Sequence, residues 1–112
     1  MEIKRLPENI LFVYLEEPQL RHELIAVNEI LSNESTYDVI IDFSGIELLT
    51  SEGISSMIIL ERLLNGYGHK IILCAVSANN RQVLERTGIE PLFEFASDES
   101  YALQSLRSSS VF

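Results

Sequence analysis

The chain has 112 residues, 46% hydrophobic and 22% charged, with a formal net charge of −9. That length suits one domain with a single buried core, and the apolar content excludes a disordered chain. The acidic balance argues against binding a nucleic-acid backbone, which would be repelled, and fits a partner that offers some basic surface.

Ile3 to Leu6 and Ile10 to Leu15 read as two strands of a hairpin, turned at Pro7-Glu8-Asn9. After Pro18, Leu20, Leu24, Val27 and Leu31 recur at intervals of four, three and four, which makes one apolar stripe of an amphipathic helix. Ser32-Asn33-Glu34-Ser35 ends it; the match of Asn33-Glu34-Ser35 to a glycosylation acceptor is taken as chance. Val39-Ile40-Ile41 and Ile71 through Val76 are continuous apolar runs, as expected of central strands covered on both faces. Between them the pattern predicts a helix from Ser51 to Asn65, closed by Gly66 and Gly68. A further helix is expected over Ala78 to Thr87, stopped by Gly88, then a short strand over Leu92 to Phe95. Ser97 or Asp98 caps a last helix carrying Ala102, Leu103 and Leu106, and residues 108–112 form a frayed tail beyond a domain of residues 1–107. The order ββαβαβαβα is an α/β sandwich with a mixed sheet and about four helices.

Cys74 stands alone within an apolar run, so no internal disulfide is available and a buried strand thiol in a reducing compartment is expected. Apolar runs reach only about six residues, too short for a membrane span or a signal-peptide core, and the expected location is cytoplasmic.

The stretch Asp42 to Gly53 carries the functional signal. A strand ends at Asp42, a short loop follows, and a helix opens with two hydroxyl residues, Thr50 and Ser51. Free N–H groups and the positive end of the helix dipole favour added negative charge there. A hydroxyl at such a position also serves as a simple cap, and both readings stand on position alone. Around this helix, at about 100° per residue, Gly53, Met57, Leu60 and Leu64 share the core face. Ile54 and Ile58 fall on a flank with Glu61, Arg62 and Asn65 that is expected to face solvent; they form either a docking patch or a surface covered by a neighbouring loop.

Catalytic sets are missing from the sequence. His22 and His69 lack metal-ligand spacing, Glu16-Glu17 and Asp98-Glu99 are surface carboxylate pairs, and no phosphate-cradling glycine loop, nucleophile elbow or Cys-His arrangement occurs. The expectation is a non-enzymatic protein without metal or cofactor.

The segment from Asp42 to Gly53 resembles the signature of STAS domains, the family of bacterial anti-sigma factor antagonists: Asp-x-Ser, an apolar loop, then Asp-Ser-Ser-Gly opening a helix. Lys70 to Ala75 is similar to the family's next strand. Val83-Leu84-Glu85-Arg86-Thr87-Gly88-Ile89 resembles its Val-Leu-x-x-x-Gly-Leu helix ending, and Phe93-Glu94-Phe95 with Ser97 to Leu103 its last strand and acidic-capped helix. The resemblance implies that Ser51, or alternatively Thr50, is phosphorylated. It also implies that Asp42, Ser44, Thr50, Ser51, Glu52, Gly53, Ile54 and Ile58 meet a partner. That partner is implied to be an anti-sigma factor, a serine kinase of the histidine-kinase-like ATPase fold, with a phosphatase reversing the modification. Thr50 and Glu52 depart from the family pattern, which has Asp and a second Ser or Thr there. A second role implied by the same resemblance is that of a soluble accessory subunit of an ABC-type lipid transport system.

Overall fold

The computed structural model of the chain describes residues 1–16, 20–33 and 36–109. Pro18, Glu17, the side chain of Leu20, the Glu34-Ser35 end of the first helix and residues 110–112 of the expected tail lie outside the described residues.

Strands β1 (Glu2–Leu6), β2 (Ile10–Tyr14), β3 (Asp38–Asp42), β4 (Ile71–Cys74) and β5 (Glu94–Ala96) lie in that order in one sheet. The β1–β2 hairpin is antiparallel and every later pair is parallel, so the sheet is mixed. Helices α1 (Leu20–Asn33), α2 (Ser51–Gly66), α3 (Ala78–Arg86) and α4 (Glu99–Ser109) supply the crossovers and the closing element. The expected ββαβαβαβα order and α/β class hold.

Side chains alternate across the sheet, and this divides the core. Leu11, Val13, Val39, Ile41, Ile71 and Leu73 point to one face, under Leu24, Val27 and Leu31 of α1, Met57, Leu60 and Leu64 of α2, and Leu84 of α3. Ile10, Phe12, Ile40, Ile72 and Cys74 point to the other, under Ala102 and Leu106 of α4. β3 and β4 are therefore apolar at successive positions because both of their faces are covered.

Several boundaries shift, each for a local reason. β4 stops at Cys74 although the apolar run continues to Val76, because Ala75 takes the left-handed backbone (φ 56) and turns the chain toward α3. Leu92 belongs to a 3-10 turn (Glu90–Leu92) with Pro91 in its first turn, so β5 begins two residues later than expected. Asp98, not Ser97, caps α4: its Oδ1 accepts the Tyr101 N–H at 3.0 Å. α4 itself runs through Ser109, past the expected boundary at residue 107.

α2 ends through a Schellman motif. Gly68, at φ +76, donates its N–H to Asn65 O, and His69 donates to Leu64 O. Glycine meets the left-handed requirement there without a Cβ penalty.

Candidate functional site

The site is the loop from β3 to α2. Phe43, Ile46 and Leu49, three residues apart, are all buried and anchor the loop in the larger core cluster. Between the anchors Ser44, Glu47 and Leu48 are exposed, as is Thr50 just after the last of them, and Leu48 is an apolar side chain left 59% accessible.

The loop begins with a turn built by Asp42, whose Oδ1 accepts the Ser44 N–H at 2.7 Å. Gly45 follows where no side chain fits: a Cβ would lie 2.7 Å from Leu15 O and 2.8 Å from the Tyr14 hydroxyl. At the far end, Thr50 is extended (φ −103, ψ 164) and its Oγ1 accepts the Gly53 N–H at 3.2 Å. Thr50 is thus the N-cap of α2, and Ser51 is the first helical residue, exposed to solvent. Equivalent as sequence, the two hydroxyls are not equivalent as structure. Thr50 accepts a cap bond; Ser51 stands exposed as the first helical residue.

Glu52 is exposed beside Ser51, and Gly53 is buried on the core face together with Met57, Leu60 and Leu64, as the helical spacing predicts. Ile54 corrects that reading: it is half-buried and packs against the larger core cluster. Ile58 is half-buried as well. At Ile54 the covered apolar stripe is therefore wider than the spacing suggests. The apolar side chain that α2 does leave exposed is Ile59, at 58%.

The spacing and motif patterns of the sequence do not single out Asn80. It belongs to α3, is fully buried, and reaches the site loop with both ends of its amide. Oδ1 accepts the Leu49 N–H at 2.9 Å, and Nδ2 donates to Ile46 O at 3.1 Å. Its own N–H donates to Ser77 Oγ at 3.1 Å, in the cap of α3. The one signal that could have found it is its place four residues before Leu84, on the face that α3 buries.

Cys74 sits opposite Asp42 in the β3–β4 register and is wholly buried. Burial, with the nearby carboxylates Asp42, Glu99 and Asp98 adding to it, pushes its thiol up to about 12, so it stays protonated. The carboxylates and histidines weighed as catalytic candidates are dispersed. Glu16 is exposed near the N-terminal amine at 3.7 Å, His22 is exposed, and His69 Nδ1 lies 3.4 Å from Asp38 Oδ1. Among the described residues no three His, Cys, Asp or Glu side chains are grouped to hold a metal, and no helix is long and apolar enough to cross a membrane.

Comparison with curated proteins finds no match. Among solved structures, a serine-to-glutamate variant of RsbS from Moorella thermoacetica superposes with a TM-score of 0.87 at 16% identity, over 99% of this chain and 97% of that one. An anti-sigma-factor antagonist (STAS) domain protein from Planctomyces limnophilus gives 0.82 at 18% identity, over 95% and 97%. The phosphorylated form of SpoIIAA, a Bacillus cell fate determinant, gives 0.73 at 17% identity, over 94% and 97%. At such identities the likeness is one of fold. The family itself is decided by sequence: the STAS domain pattern matches residues 4–102, which include the end of β1, all of β2 to β5 and the whole β3–α2 loop, and the chain belongs to the STAS domain family.

Proposed function

We propose that this protein is a partner-switching regulator of the anti-sigma factor antagonist type. In its unmodified form it binds an anti-sigma serine kinase, and phosphorylation of Ser51 ends that binding. The observation that carries this reading is the exposed Ser51 hydroxyl at the first residue of α2, beside a neighbour whose hydroxyl is already committed to the cap.

The physics of such a switch is local. A phosphoserine brings about −1.5 to −2 charge, which the N-terminus of a helix accommodates, so the domain keeps its fold. A kinase seated over the same spot meets a bulky dianion beside Glu52, and a loss of about 3 kcal/mol there weakens the complex by more than roughly 100-fold. The exposed Leu48 supplies an apolar contact beside the acceptor. Asp42 and Ser44, joined in the turn at the other end of the loop, border the same surface.

The test is co-purification from the native cell with intact-mass and fragment mass spectrometry. A serine kinase held by the unmodified chain, and phosphate on Ser51 in the released chain, is the expected result. A chain that retains no kinase and never carries phosphate on Ser51 or Thr50 overturns the reading. Retention of a transport ATPase instead places the protein with the ABC-type accessory subunits.

A further inference from the structure

Asn80 is a costly residue where it stands. Asparagine is a poor helix former, and a buried amide is unfavourable unless its donors and acceptors are met. An apolar residue would serve the face that α3 packs on the core better, on both counts. What the amide supplies lies elsewhere in the chain. Ile46 and Leu49 are buried, so water cannot reach the Ile46 carbonyl or the Leu49 N–H; Asn80 satisfies both, across 34 and 31 residues of sequence. The pairing needs one donor and one acceptor from one planar group, so the amide orientation is forced: Nδ2 to the carbonyl, Oδ1 to the N–H. Aspartate offers no donor when ionised, leucine offers nothing, and serine is too short to span both.

The two bonds bracket Glu47 and Leu48, and Leu49 directly precedes the N-cap Thr50. We infer that Asn80 is a positioning residue for the partner surface, holding Leu48 outward and the start of α2 in one conformation before the partner arrives. Preformed surfaces avoid the ordering cost of binding, so loss of the clamp shows in how well the partner is bound. The identity of the partner rests on the switch reading above; the clamp itself does not.

The test compares Asn80→Leu with Leu106→Ala, a core variant on the opposite face of the sheet, at matched loss of stability. In Asn80→Leu the Leu49 amide exchanges at least about tenfold faster relative to Leu60, whereas Leu106→Ala leaves that ratio at its parental value. With the serine kinase that co-purifies with the parent chain, Asn80→Leu raises the KM for Ser51 phosphorylation about tenfold or more with kcat near parental, and Leu106→Ala changes neither. If Asn80→Leu does not fold, Asn80→Ser carries the same comparison. A Leu49 amide that stays protected, or a freed Leu49 amide with a parental KM, overturns the inference and leaves the switch reading intact. A parent chain that accepts no phosphate overturns the switch reading, and the partner role of Asn80 with it.

Discussion

Thr50 Oγ1 accepts the Gly53 N–H at 3.2 Å, and this one bond separates the roles of two neighbouring hydroxyls. Thr50 stands where the family pattern has Asp, and the geometry explains the exchange: either side chain caps the helix through an oxygen acceptor. Thr50→Ala is expected to lose about 1 kcal/mol of unfolding free energy and Thr50→Asp to lose almost nothing, since aspartate caps equally well and its charge favours the helix N-terminus. Urea titrations of the three chains check this. Equal stability of parent and Thr50→Ala would show that the cap contributes nothing.

Ser51→Asp puts a permanent charge at the first residue of α2. The domain should unfold within about 1 kcal/mol of the parent, because the helix N-terminus tolerates the anion. Binding to the kinase should weaken by roughly 100-fold, while Ser51→Ala binds as the parent does. Calorimetric titration of each variant separates the outcomes. Tight binding by the aspartate variant would mean that charge at α2 does not control docking.

Gly45→Ala should destabilise the protein by about 1–3 kcal/mol, because a methyl group there meets Leu15 O at 2.7 Å and the Tyr14 hydroxyl at 2.8 Å. The tyrosine can swing away; the backbone carbonyl can move only with β2. Thermal melts measure the loss. A parental midpoint would show that the loop has room the geometry denies it.

The Cys74 thiol, pushed up to about 12 by burial and its carboxylate neighbours, sets a pH dependence. In the unfolded chain the thiol loses its proton near its ordinary value of 9.0, whereas in the folded chain it keeps it. The stability contribution is therefore whole below about pH 9 and is lost as pH rises toward 12. Between about pH 8 and about pH 10, Cys74→Ala should lose less stability than the parent. Identical slopes in denaturant titrations would count against a buried, protonated thiol. Alkylation should likewise require unfolding.

Much of this arrangement is legible in particular residues. The continuous runs at Val39–Ile41 and Ile71–Cys74 announce strands with two covered faces, and the interval pattern of Leu24, Val27 and Leu31 announces a helix with one. Gly68 and Gly88 mark helix ends through their left-handed backbones. The partial burial of Ile54 is not legible, because helical spacing tells which side chains share a face but says nothing about how far the core reaches around the helix. Nor is the turn at Ala75, because an alanine with positive φ carries no sign of it in its chemistry.

Local periodicity and hydroxyl chemistry are properties of the chain itself, and they suffice to order the elements and to bring Thr50 and Ser51 to the mouth of a helix. Which of the two hydroxyls accepts the cap bond only the folded backbone defines. The Asn80 clamp joins segments more than thirty residues apart. Contacts of that kind form when the β3–β4 pairing and the docking of α3 bring distant segments together. They leave no period in the sequence, because the condition they satisfy, a buried carbonyl and N–H shut off from water, exists only once the core has closed.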